Sequence, residues 1–203
     1  MAQTAAASTC TRPQQVMERF IDADCEACWS SPAQAPAPNG AWVMDWIVPG
    51  ASGSEAPLAL AALDEARARR DAVQALKPLP ASGEADWRLP ARPPLRLAVA
   101  GGPAWNGYLG LQLQVRGSAP AGARAYLALV EDVPADAEGN ASARRLVRAV
   151  AGPIALGDAP ASELRALRIP EGAKPERLLG MAWWVDRDER LLGITAEGCP
   201  REK

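Results

Sequence analysis

The stretch YLGLQLQVR, residues 108 to 116, alternates without a break: Leu109, Leu111, Leu113 and Val115 have one parity, Gly110, Gln112, Gln114 and Arg116 the other. A period of two puts these sets on opposite faces of an extended chain and does not fit the 3.6-residue period of a helix. The second half of the chain is therefore expected to be sheet, with one buried and one wet face. The preceding LRLAVA repeats the pattern with Leu95, Leu97 and Val99, and GGPAWNG supplies turn residues between them, so the two form a hairpin. Further strand candidates are AYLALVEDV at 125–133, RRLVRAVAGPIAL at 144–156 with a break near Gly152-Pro153, and ELRALRI at 163–169. LLGMAWWV and RLLGIT flank Asp186-Arg187-Asp188-Glu189 as a second hairpin. Seven short strands with turn signals between them predict an antiparallel, immunoglobulin-like β-sandwich over residues 93–199.

The first half has a different grammar. QQVMERFIDA (14–23) and AWVMDWIV (41–48) are apolar runs of strand length. Pro32, Pro36 and Pro38 lie between them, so no helix longer than about one turn fits there. From Glu55 to Leu76, Leu58, Leu60, Ala61, Leu63, Ala66, Val73 and Leu76 recur at helical spacing, which predicts a helix with Ser54 as N-cap and Pro57 in its first turn. KPLPASGEADWRLPARPP follows with five prolines and reads as a semi-rigid connection. The expected organisation is a flexible N-terminus (1–12), an α/β segment (13–76), a Pro-rich linker (77–92), the sandwich (93–199) and a short tail (200–203).

Composition narrows the function. Hydrophobic residues make up 48% of 203, ample for a packed core, and a net charge of -2 offers no basic field for nucleic acid. The chain has no histidine, which removes Ser-His-Asp and Cys-His pairings, the commonest zinc ligand and the usual general base at neutral pH. The three lysines, Lys77, Lys174 and Lys203, stand beside proline or at the terminus, so no Schiff-base lysine is indicated. No apolar run reaches the ~18 residues of a membrane span. The segment AQTAAASTC resembles the small-residue sequence found just after a signal-peptidase cut. With four cysteines, an even number, this predicts an exported protein of an oxidising compartment, periplasmic or secreted.

Two of those cysteines form the C-x-x-C of DADCEACWSS, directly after the first strand. The segment VMERFIDADCEAC, with Cys25 and Cys28 at the motif positions, resembles a family of secreted bacterial proteins of unknown function with a thioredoxin-like N-terminal half. YLALVEDVPADAEGNASARRLVRAVAGP is similar to the sandwich segment of that family. The resemblance implies an α+β, mainly β fold, a thioredoxin-like α/β segment packed on a β-sandwich. It also implies a candidate redox role for Cys25, the attacking thiolate, and Cys28, its resolving partner. The departures mark this chain as a truncated, degenerate relative. Prolines stand where a long activating helix would begin, no Thr-Pro pair announces a cis-proline strand, and only about 65 residues precede the linker, too few for a complete thioredoxin domain.

The residues themselves lean toward a structural use. Asp22, Asp24 and Glu26 surround Cys25 with no Lys or Arg among them, and nearby negative charge disfavours a thiolate. Of the three pairings open to four cysteines, Cys25 with Cys28 and Cys10 with Cys199 is preferred; the latter would tie the chain ends together and contribute about 4 to 5 kcal/mol in the chain-entropy model. A single C-x-x-C with singleton partners does not suggest zinc, and no cofactor is indicated. Trp29, Trp42 and Trp46 are expected to pack around the cysteines and are the candidate binding residues. Trp183 and Trp184 must point to opposite faces of one strand, one into the core and the other against the N-terminal half. Arg144, Arg145 and Arg148 read as the charged defence of an edge strand. The preferred function is a non-catalytic binding or scaffolding module whose partner is an unidentified envelope protein or ligand; the alternative is a thiol-disulfide oxidoreductase.

Overall fold

The computed structural model describes residues 13–31, 40–79, 83–158 and 160–199. The elements are, in order, β1 (Gln15–Asp22), α1 (Glu26–Ser30), β2 (Trp42–Val48), α2 (Asp64–Leu76), β3 (Glu84–Arg88), β4 (Leu95–Gly101), β5 (Tyr108–Gly117), β6 (Arg124–Val133), β7 (Arg144–Ala155), β8 (Ala161–Arg168), β9 (Leu178–Val185) and β10 (Leu191–Ala196). A seven-stranded sheet has the order β10-β9-β6-β7-β2-β1-β3, and a three-stranded sheet has the order β4-β5-β8. The fold is mainly β.

Both predicted hairpins are present. β4 pairs antiparallel with β5 from Leu95↔Gly117 to Gly101↔Leu111, and β9 with β10 from Leu191↔Val185 to Ala196↔Met181. The alternation of β5 has the expected consequence: Leu109, Leu111, Leu113 and Val115 are buried, against Leu127, Leu129, Ala182 and Trp184 of the larger sheet. β6 and β9 are covered on both faces, so their alternation in sequence is muted. Trp184 faces the three-stranded sheet. Trp183 faces the other way and meets Trp46 of β2 edge-on, ring centroids 5.8 Å apart, so it supplies the contact with the N-terminal segment.

At the N-terminal end β1 runs parallel to β2 (Val16↔Trp42 to Asp22↔Val48) and antiparallel to β3 (Gln15↔Arg88 to Arg19↔Glu84). β2 then meets β7 in parallel at Asp45↔Leu146, so N-terminal and C-terminal strands share one sheet. α2 lies on one face of β2 and buries Ala66, Arg69 and Val73, the i, i+3, i+7 stripe of an amphipathic helix.

Three expectations are corrected. The helix begins at Asp64, not near Glu55, because Ala62 bridges to Ile47 and the Leu63 amide donates to the Ile47 carbonyl (3.0 Å). The Leu58 amide likewise donates to the Ala23 carbonyl, and Ala56, Leu58, Ala59, Ala61 and Ala62 pad the core around Ile21 and Ile47 from irregular backbone and short 3-10 turns. The stretch read as linker contains β3, whose Ala85 and Trp87 are buried while Asp86 and Arg88 are exposed, a period of two between prolines. The third concerns β7, which is interior, flanked by β6 and β2, and its arginines are not an edge defence. Arg144 and Arg148 are buried and paired with Asp45 and Glu131, each at 3.5 Å; Arg145 reaches Asp132 at 2.9 Å and covers the Trp42 ring at 5.6 Å.

Candidate functional site

β1 ends in a tight turn that sets the cysteines. The Asp22 carbonyl accepts from the Cys25 amide (3.0 Å), and the Asp22 carboxylate accepts from the Asp24 amide (2.9 Å). The Asp24 carboxylate turns the other way and accepts from the amides of Ala51 (2.7 Å) and Ser52 (3.2 Å), anchoring the loop after β2. These backbone donors, Ser52 first, hold the Asp24 carboxyl below its usual range, so it stays ionised close to Cys25.

α1 is a single turn. The Cys28 amide donates to both the carbonyl (3.1 Å) and Sγ (3.2 Å) of Cys25, the Ser31 amide donates to the Ala27 carbonyl (2.9 Å), and Pro32 follows. A residue before proline is pushed out of the helical region, so the turn stops where the sequence predicts. Cys25 and Cys28 are joined in a disulfide with Cα atoms 5.2 Å apart, both half-buried. Cys199 is also disulfide-bonded, and Cys10, its expected partner, lies outside the described residues.

Beneath the disulfide the turn is locked to the sheet. Trp29, 6% exposed, donates its indole N–H to the Glu138 carbonyl (3.0 Å). The Arg144 guanidinium covers the Trp29 ring at 5.3 Å and donates to the Trp29 carbonyl (2.7 Å) and the Cys28 carbonyl (3.4 Å). Its far side faces Asp45, which also meets Arg19 at 3.4 Å and accepts from the Arg145 amide at 3.0 Å. Burial pushes the Asp45 carboxyl up, and the two guanidinium groups and the amide pull it back. Burial likewise lowers Arg144, which Asp45 opposes. The cationic group nearest the cysteine turn is thus engaged with carbonyl oxygens and Asp45. It fixes the turn's C-terminal end rather than activating a sulfur.

The three candidate tryptophans divide. Trp29 packs with Cys28, Ile21 and Ile47. Trp42 and Trp46 lie on the opposite face of β2, with Met44 and Val48, because they share even parity while Asp45 and Ile47 face the cysteine side. Arg144, Asp45 and Arg19 were not singled out from the sequence as partners of the cysteine turn. A signal existed: Glu18-Arg19 in VMERFID and Asp45 in WVMDWIV are charges in the middle of apolar strands, where a buried charge needs a partner. Among the described residues no group of three or more acidic or thiol side chains is placed to hold a metal ion, and no helix is long and apolar enough to cross a membrane.

The chain matches no family model, no curated protein and no solved structure. Its function must be argued from its own residues.

Proposed function

We propose that this protein is a non-catalytic binding or scaffolding module of the cell envelope, exported to the periplasm or beyond, in which the Cys25–Cys28 disulfide is a structural staple. The observation that carries the reading is the lock beneath the cysteines: Arg144, on β7, holds the carbonyls of Cys28 and Trp29 while paired with Asp45 on β2. A disulfide there closes a turn that three strands already grip. The one-turn α1 turns the Cys28 amide toward the Cys25 sulfur but lacks the long helix whose dipole would stabilise a thiolate, and Asp22, Asp24 and Glu26 add negative charge around Cys25.

We read residues 13–88 as a truncated thioredoxin-like segment. Support comes from the C-x-x-C directly after β1, from β2 parallel and β3 antiparallel on either side of β1, and from α2 crossing one face between β2 and β3. The packing of β4-β5-β8 on β6, β7, β9 and β10 supports an immunoglobulin-like sandwich for the remainder.

Melting curves of wild type and Cys25→Ser, with disulfide mapping by mass spectrometry, test the staple. The short loop sets the expected loss at about 2 kcal/mol. An unchanged melting temperature on losing the bond, or a bridge from Cys10 to Cys25 or Cys28, overturns it.

A further inference from the structure

β8, at one end of the three-stranded sheet, pairs with β5 alone. The Ile169 amide just beyond it donates to the Gly107 carbonyl (2.8 Å), and the backbone groups of successive residues in a strand point alternately to its two sides. The odd-numbered residues of β8 therefore bond to β5, while the N–H and C=O groups of Ser162, Leu164, Ala166 and Arg168 point to the open side. All four residues are exposed, Leu164 at 70%. Among the described residues no other strand bridges to that side, and Arg165 folds its own guanidinium back onto the Leu164 carbonyl (3.1 Å).

The other end strands are closed or blunted. β4 lies against β10 and β9, and the Glu197 carboxylate, just after β10, accepts from the Gly101 amide of β4 and the Gly180 amide of β9. β3 is five residues long, is followed closely by Pro90, and has the Lys77 ammonium on its Asp86 carbonyl (2.6 Å). Short strands, prolines and lysines are common means of keeping an edge from pairing. β8 has eight residues, no proline and no lysine, and an exposed leucine stands near its centre.

Parity and charge select the strand that fits this edge. An antiparallel partner must set its own outward-pointing residues opposite these, which a second copy of β8 does when the two-fold axis passes through a residue of the strand. An axis at Glu163 would set that carboxylate against itself, and an axis at Arg165 would do the same to the guanidinium; like charges directly opposite repel. An axis at Leu164 sets Glu163 of each copy opposite Arg165 of the other, as pairs without mutual backbone bonds, where side chains come closest. Leu164 then meets its counterpart on the outer face, and Ser162 and Ala166 exchange backbone hydrogen bonds across the junction. In the single chain Glu163 and Arg165 pair only along their own strand (2.7 Å), with both side chains partly exposed.

We propose that β8 is a homodimerisation edge: two copies of this chain pair β8 with β8, antiparallel about an axis at Leu164, and so join their three-stranded sheets into one. The charge order Glu163-Leu164-Arg165 is its own complement in that register, which is why the partner is a second copy rather than an unrelated strand. The inference goes beyond the staple reading and does not depend on it, because no residue of β8 bonds to the cysteine turn or to its lock.

Sedimentation velocity of the full chain, from dilute into high micromolar concentrations, should show a monomer–dimer equilibrium. Glu163→Arg and Arg165→Glu each replace both attractive pairs by repulsive ones, and either alone should weaken the dimer by roughly ten-fold or more. Mixing the two single variants brings opposite charges together again, so the mixture should form a heterodimer that neither makes alone. The double variant Glu163→Arg/Arg165→Glu should regain the wild-type equilibrium. Melting curves of each variant at dilution confirm that it is folded. The proposal is overturned if the wild type stays monomeric throughout, if the single variants associate as tightly as wild type, or if neither the mixture nor the double variant restores association.

Discussion

Two of the carboxylates the sheet buries, Glu18 on the α2 face and Asp45 on the cysteine face, are treated differently. On the α2 face Glu18 receives Arg69 in a two-pronged grip at 2.9 and 2.8 Å and the Trp87 indole at 2.6 Å, with the Arg69 guanidinium 5.3 Å from the Trp87 ring. Burial pulls the Arg69 pKa down, but the charge and hydrogen bonds of Glu18, joined by Glu189 and Tyr126, leave it raised. On the cysteine face Asp45 is shared between Arg19 at 3.4 Å and Arg144 at 3.5 Å, distances at the outer limit of a hydrogen bond. The first cluster is a clamp of short bonds that fastens α2 to β1, β3 and the turn between β9 and β10. The second spreads a single negative charge over β1, β2, β7 and the cysteine turn. Buried pairs repay their desolvation only when geometry is good. The clamp therefore carries stability, whereas the Asp45 cluster mainly specifies where the turn sits.

Substitutions should separate the two clusters. Glu18→Gln strands Arg69 in the core, and chemical denaturation is expected to show the largest loss, about 3–5 kcal/mol. The double variant Glu18→Met/Arg69→Met should recover much of it; equal destabilisation would mean that shape rather than charge holds α2. Asp45→Asn keeps an acceptor for the Arg145 amide and leaves Arg144 its two carbonyls, so a smaller loss of about 1.5–3 kcal/mol is expected. The same variant should let dithiothreitol reduce Cys25–Cys28 faster, since α1 is less firmly held. If Asp45→Asn costs more than Glu18→Gln, the ranking of the clusters is reversed.

Trp29→Phe preserves most of the ring under Arg144 but removes the bond to the Glu138 carbonyl, which should cost about 1 kcal/mol. The smallest effect belongs to Asp24. Its folded-state pKa is depressed, so its contribution is fully present above the ordinary carboxylate range and is lost as pH falls through the folded value. The melting-temperature difference between wild type and Asp24→Ala should be constant above roughly pH 5 and vanish in acid. A difference that grows on acidification would contradict the amide anchoring of that carboxylate.

The parts that could be read in advance were those decided by local pattern. The alternation in β5 named its buried residues, the two hairpins announced themselves in their turns, and Pro32 marked the end of α1. What could not be read depended on partners distant in sequence. β3 is five residues long among prolines, and only its pairing with β1 makes it a strand. Leu58 and Ala61 have helical spacing, yet the backbone around them bonds instead to Ala23 and Ile47. Arg144 looked like surface charge because its partner, Asp45, lies on another strand and the turn it holds on a third segment. The unpaired indoles of Trp46 and Trp183 are a property of the packed sheet face, invisible in either strand alone.

The same contrast separates staple from redox centre. A turn held by Arg144 and Trp29 has little reason to open and close, and the one guanidinium described beside it, that of Arg144, is already engaged with the Cys28 and Trp29 carbonyls and with Asp45. Insulin reduction with dithiothreitol, run on wild type beside Cys25→Ser, tests this most directly. The account predicts that both proceed at the uncatalysed rate while Cys25→Ser melts lower. Turnover by wild type that disappears in Cys25→Ser would show that the pair is a working thiol-disulfide centre and contradict it.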